Sequence, residues 1–367
     1  MTVPLRDKLQ RTDYLLKLVI LFVAIVYTLT NFSEKDWTEQ GMKGVIRWDI
    51  ISYYGYLPAT FIYHDVTLDF LDDPGFVNDN KFWYVKAENG HRVILTSMGL
   101  AILYSPFFFI ANTLAPLIGQ AQDGFSPVYQ FCLVFSSLFY LIIGLFILKN
   151  LLSRYFSTLA TAWTMLLVAL GTNLYKYGTY DAPMSHSYNF VLIIAFLWLV
   201  IQWYKKPSVG ITLLAGFLLG LIALIRPSNI LVVILLILWG VDSLQSLWAR
   251  IRFFWKEAWK IGLMILAFII PWIPQFIYWH TLTGHLFYNA YQNTGSAFFF
   301  GSPHITDLLF SYRKGWFLYV PVMLFAASGL IPLYRHWRQL FWMVTIYIVV
   351  MVYVLASWWA WWYGGSF

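Results

Sequence analysis

Apolar runs centre on residues 15–30, 98–118, 128–148, 156–174, 188–203, 209–225, 229–241, 261–279, 316–333 and 340–357. A helix needs about 20 mostly apolar residues to cross a bilayer, so the pattern predicts ten candidate membrane helices, several of them short. The first is basic-flanked, and no small-x-small cleavage site follows it, so it reads as a signal anchor rather than a removable leader. The second, LTSMGLAILYSPFFFIANTLAPLIG, carries Pro106, Asn112 and Pro116, interruptions that a segment lying in the interface tolerates.

Composition turns this pattern into a class. The 367 residues are 60% hydrophobic and 11% charged, whereas soluble domains are about 45–50% apolar and about 25% charged. That excludes a soluble α/β enzyme, a disordered chain and a disulfide scaffold. Cys132, the single cysteine, excludes an intrachain disulfide and a thiolate metal site, and it reads as a small core residue.

The few charges predict topology. Arg6, Lys8, Arg11 and Lys17 put the N-terminus in the cytoplasm if positive residues stay inside. If all ten runs crossed, Lys149, Arg154, Lys205, Lys206, Arg250, Arg252, Lys256, Lys260, Arg335 and Arg338 would all lie outside. If 98–118 lies in the interface instead, those ten residues move inside, and Lys176, Arg226, Arg313 and Lys314 move outside. The expected architecture is therefore an all-α polytopic membrane protein with nine crossings. Residues 1–30 form the cytoplasmic N-terminus and first span, 31–126 a long exterior loop with juxtamembrane helices, and 127–367 a bundle of about eight helices.

Residues 31–96 hold ten acidic side chains against six basic, and a loop this long is usually functional. In GVIRWDISYYGYLPATF, Asp49 sits among Trp48, Tyr53, Tyr54 and Tyr56. A partly dehydrated carboxylate is suited to general-base work, and the aromatics suit either sugar faces or the headgroup belt; a solvated interfacial Asp is the plainer reading. Asp69, Asp72 and Asp73 form either a solvated turn or a hard-cation site, though their spacing fits no calcium loop. The stretch LDDPGFVNDNK reads as a turn-rich excursion.

Further polar groups gather at the same expected face. YKYGTYDAPMSHSYNF carries Asp181 and His186; Asp181 either forms the turn before Ala-Pro or joins Asp49 in sharing a metal or dividing base and orienting roles. Arg226, in LIALIRPSNILVV, needs an anionic partner, either an internal Asp or a lipid phosphate. Residues 280–314 bring Tyr288, Tyr291, Gln292, Asn293, His304, Asp307, Arg313 and Lys314, which line a substrate site or form a wet cap. The ending SWWAWWYGGSF is either an aromatic belt or a shaped pocket containing Trp361 and Tyr363.

With these motifs in this order, the chain resembles the GT-C superfamily of integral-membrane glycosyltransferases, nearest to bacterial glycosyltransferase family 39 and the protein-mannosyltransferase-like group. RWDISYYGY matches the family's acidic residue soon after span one, and YDAPMSHSYNF resembles its second outer loop. The Arg-Pro turn at Arg226 and the Trp-rich ending are similar to further pieces. The resemblance implies transfer of a sugar from a polyprenyl-phosphate-type donor to an acceptor glycan, lipid or protein, outside the bacterial cytoplasmic (inner) membrane and serving the cell envelope. It implies that Asp49 acts on the acceptor hydroxyl with inversion, that Arg226 holds the donor phosphate, and that Asp181 or His186 supports the site. Tyr53, Tyr54, Trp361 and Tyr363 would bind substrate. Some relatives use a divalent cation, Mg or Mn, which Asp49 and Asp181 would hold here. Relatives continue past Gly-Gly-Ser-Phe, so the chain is expected to be a short or truncated version. The competing readings are a transporter or flippase for lipid-linked saccharide and a non-catalytic homologue; nucleic acid is excluded as a partner because the basic residues flank spans.

Overall fold

The computed structural model describes residues 5–38, 44–73, 76, 82–292 and 294–364, with the side chains of residues 5–12, 363 and 364 outside that description. Six of the described helices are long and apolar enough to cross a membrane: Asp13–Glu34, Gly99–Leu117, Pro127–Leu152, His186–Lys205, Ala258–Thr283 and Arg338–Ala356. The chain is an all-α, multi-spanning membrane protein whose described residues include one sheet, a two-stranded hairpin. It folds as two compact units, Met1–Phe82 with Ala101–Ala195, and Trp83–Leu100 with Phe196–Phe367.

The first unit holds α1 (Leu5–Glu34), α2 (Asp49–Tyr54), α3 (Tyr56–Phe61), most of α4 (Gly99–Leu117), α5 (Pro127–Leu152), α6 (Thr158–Leu170), α7 (Asn173–Gly178) and the first half of α8 (His186–Lys205). On α1, Leu16, Ile20, Val23 and Tyr27 recur at three- and four-residue steps, so they share one face and bury against α5 and α6. Leu18, Leu21, Phe22 and Ile25 on the other faces are exposed and apolar, as lipid contact requires. Two short helices, α2 and α3, follow α1 within residues 31–126. Part of LDDPGFVNDNK lies outside the described residues.

In α4 both prolines sit inside a continuous helix. Each removes the N–H that would reach the carbonyl four residues back, and each freed carbonyl has another donor. Ser105 Oγ donates to Ile102 O at 2.8 Å, replacing the bond lost at Pro106. Gln122 Nε2 donates to Asn112 O at 2.7 Å, replacing the one lost at Pro116. One face of α4 packs its aromatics on α5, Phe107 against Phe135 and Phe139.

The second unit holds the hairpin β1 (Tyr84–Lys86) and β2 (Arg92–Ile94), the end of α8, α9 (Val209–Ile225), α10 (Val233–Leu238), α11 (Leu244–Lys256), α12 (Ala258–Ile269), α13 (Ile273–Thr283), α14 (Ile305–Phe310), α15 (Trp316–Tyr319), α16 (Val322–Ser328), α17 (Leu330–His336), α18 (Arg338–Ala356) and α19 (Trp361–Gly364). The hairpin turns at Asn89-Gly90, where Gly90 takes φ +87°. Four bonds tie this segment to α9 and α13: Asn89 Nδ2 to Leu282 O (2.7 Å), Ile94 N to Tyr278 Oη (3.0 Å), Ser97 Oγ to Leu224 O, and Met98 N to Gln275 Oε1 (2.8 Å).

The run 316–333, expected as one span, is three short helices. Pro321 cannot donate the bond that would continue α15, and Gly329 separates α16 from α17. The closest helix crossing in this unit joins α9 to α12. A Cβ on Gly216 would lie 2.2 Å from Met264 O, and one on Gly220 2.2 Å from Phe268 O, so the backbones meet where no side chain fits. Leu at either position should destabilise the protein by about 1–3 kcal/mol, read as a lower thermal midpoint in detergent. Gly262→Ala on α12, where nothing lies within 4 Å of the added methyl, should stabilise it slightly.

Candidate functional site

The buried stripe of α1 continues upward into polar residues. Thr30 Oγ1 and Tyr175 Oη lie 3.0 Å apart, and Asn31 Nδ2 donates to Gly178 O at 3.0 Å. Lys35 Nζ donates to Tyr180 O at 3.1 Å. Three successive steps along α1 and its exit therefore hold α7 and the turn after it. Gly178 is required at this contact, since a Cβ there would meet the Tyr27 ring at 2.5 Å.

That turn carries Asp181, half-buried, whose Oδ2 lies 3.5 Å from Lys176 Nζ. Lys176 also lies over the Tyr177 ring, 5.6 Å from its centroid, and Tyr177 stacks on His186 at 3.7 Å with the planes 9° apart. Burial, reinforced by the positive charge of Arg47, pulls the Lys35 ammonium down to about 8, against the charges of Asp181 and Glu34. Lys176 thus pairs with Asp181, while Arg47, Asp181 and Glu34 all act on Lys35 beside it.

Asp49 opens α2, where a carboxylate complements the exposed N–H groups. The preceding Trp48 is 55% exposed and has φ +51° and ψ −136°, a backbone state costing about 1–3 kcal/mol for a residue with a side chain. The segment leading to it is held by Val45 N, which donates to Gln130 Oε1 at 2.6 Å. Tyr53 and Tyr54 are buried. Tyr54 Oη donates to Gly124 O, and its ring packs on Tyr104, Phe108 and Phe125. The aromatic that this corner exposes is Trp48.

In the second unit, Arg226 is half-buried at the junction of α9 with the 3₁₀ turn Pro227–Val232. Trp361 stacks over His304 at 5.7 Å, and His304 Nδ1 lies 3.0 Å from Asp307 Oδ2. Arg313 lies 3.8 Å from the centre of the Trp362 ring. The Trp-rich segment is fixed by Phe299 N to Ser357 O (2.6 Å), Trp359 N to Ala297 O (2.9 Å) and His304 N to Ala356 O (2.9 Å). The Tyr363 side chain, Asn293 and residues 365–367 lie outside the described residues.

Among the described residues no three His, Cys, Asp or Glu side chains gather as metal ligands do. Asp181 faces an ammonium group and lies in the field of a second, so these residues do not fit a divalent cation. They suit an anion. The sequence reading passed over Lys35 and Lys176 as loop charges. The signal was present: residues 27, 31 and 35 continue the four-residue steps of the buried face of α1.

Set against models of protein families, curated proteins and solved structures, the chain matches none of them.

Lys35 releases its proton near pH 8 in the folded protein and near 10.4 when unfolded. Between those values the unfolded chain holds more protons, so stability should rise as pH rises from about 8 towards 10. Thermal unfolding across that range should show the rise in the wild type and lose it in Lys35→Met.

Proposed function

We propose that this protein is a membrane glycosyltransferase that moves a sugar from a polyprenyl-phosphate-type donor to an acceptor hydroxyl at the exterior face. The observation that carries the reading is the placing of two lysines at Asp181, Lys176 at its carboxylate and Lys35 bonded to the neighbouring Tyr180 carbonyl, beside the Tyr177–His186 stack. These residues lie where α1 ends its apolar stretch, the depth at which the phosphate of a lipid-anchored donor would sit.

In this reading Asp49 accepts the proton of the acceptor hydroxyl, whose oxygen attacks the anomeric carbon. The bond from that carbon to the phosphate oxygen breaks, and the electron pair leaves on the phosphate, inverting the configuration. Lys35 and Lys176 stabilise the leaving charge, and Asp181 holds Lys176 in position. His186, stacked on Tyr177, supports the sugar side. The roles of Arg226, Trp361 and Tyr363 rest on the resemblance alone. A transporter would need ionisable pairs within its spans. The pairs Lys176–Asp181, Lys260–Glu257 and His304–Asp307 lie at helix ends or beyond them, and Lys149 and Lys17 meet Asp13 within the first turn or so of the span Asp13–Glu34.

With defined polyprenyl-phosphate sugars and product analysis, Asp49→Asn should abolish transfer while the protein still inserts and folds; full activity would remove Asp49 from the mechanism. The kcat/KM for the donor should fall as pH rises through about 8, where Lys35 loses its charge. Lys35→Arg should keep activity to higher pH, and an unchanged profile would remove Lys35 from the site. Arg226→Ala should weaken donor use more than acceptor use.

A further inference from the structure

The second unit contains a groove of about 640 Å³ lined only by apolar side chains, between α10 and α12 and beneath α11. Its walls include Leu219, Leu236, Ile237, Trp255, Met264 and Phe268. Ile237, Trp255 and Ile265 at its rim are exposed, so it opens sideways rather than closing into a core void. Its volume lies within the ~300–1,000 Å³ typical of ligand pockets.

Depth identifies what it holds. The α12 residues that line it run from Ala258 to Phe268, ten residues apart, or about 15 Å along a helix axis. That is half of the ~30 Å hydrocarbon core. The groove is therefore one leaflet deep and suits a chain that enters from the interface and stops near the midplane.

The mouth supplies the other half of the ligand. On α11, Leu244, Trp248, Ile251 and Trp255 recur at three- and four-residue steps and are all exposed, the apolar stripe of a helix lying in the membrane plane. Arg252 and Lys256 lie four residues apart, beside that stripe, and are exposed. The other cations of this region already have contacts. Arg250 donates to Trp239 O and stacks 3.8 Å from the centre of the Tyr204 ring, and Lys260 pairs with Glu257. An apolar slot one leaflet deep, covered by an interfacial helix that carries two exposed basic side chains, has the chemistry of a single phospholipid of net negative charge.

We infer that this groove is a structural binding site for an anionic phospholipid, with an acyl chain between α10 and α12 and the headgroup phosphate at Arg252 and Lys256. The site belongs to the α11 end of the second unit, whereas Arg226 lies at the opposite end of α9. Its headgroup end is thus distinct from the phosphate contact proposed above for Arg226.

Trp255 reports on it directly. Phosphatidylglycerol and phosphatidylcholine with brominated acyl chains would be titrated into the full-length protein in detergent. The quenching that disappears in Trp255→Phe is then the groove signal. Phosphatidylglycerol should give that signal at about 20- to 30-fold lower concentration than phosphatidylcholine, the preference expected from two basic residues at a membrane surface. The double variant Arg252→Gln, Lys256→Gln should abolish the preference and leave phosphatidylcholine unchanged. Ala258→Phe, which narrows the groove at its exposed mouth, should raise the concentration at which both lipids give the signal. Equal quenching by the two lipids in the wild type would overturn the proposal, as would an unshifted titration in a folded Ala258→Phe protein. Should Ala258→Phe not fold, the exposed double variant decides alone.

Discussion

Hydrocarbon offers no hydrogen bonds, so a backbone group that loses its helical partner in the membrane must find another within the chain. Much of the local structure follows from that constraint. The two prolines of α4 would leave two carbonyls stranded; Ser105 and Gln122 are placed to meet them. Asn31, buried near the end of α1, donates to Tyr27 O and Gly178 O, and so turns a polar side chain into a joint between elements. Ser137 donates to Ser187 between α5 and α8, and the Trp203 indole donates to Thr212 between α8 and α9. Polar residues in this chain are scarce, and several of the buried ones join helices.

The same absence of water removes the usual drive to pack helices together, which leaves close van der Waals contact to do it. Small residues then set the crossings. Gly216 and Gly220 let α9 lie directly on the α12 backbone, and Trp272 spans the same contact by donating to Gly220 O at 3.0 Å. The apolar groove lies beside this crossing, with α10 and α12 as its walls.

What was legible in the sequence follows from which forces act locally. Apolar runs reported the membrane class and most of the helices, because burial in lipid depends on composition over a window. They failed at 316–333, where hydropathy is right for a span but Pro321 and Gly329 break the backbone. The hairpin at Asn89-Gly90 was also readable from its alternation and turn residues, but a short hairpin was lost within a loop expected to be helical. The site was legible in part. Asp181 and Asp49 stood out as carboxylates among aromatics, whereas Lys35 did not, since a cation beside acidic residues resembles any solvated loop. Only the continuation of the buried α1 stripe reveals that it is held against Tyr180.

Lys35 shows why such a cluster has a direction. A solvated lysine keeps its proton to high pH, and a buried one keeps it only if neighbouring carboxylates outweigh desolvation. Here they do not: burial and Arg47 together overcome Asp181 and Glu34. Desolvation is the largest cause, so an anion brought beside this ammonium would restore part of the proton affinity that burial removes. The bond from Lys35 to Tyr180 O holds the side chain against the turn after α7. Pre-organised in this way, the cations need no rearrangement to meet developing negative charge, which is the condition under which electrostatic stabilisation is most effective.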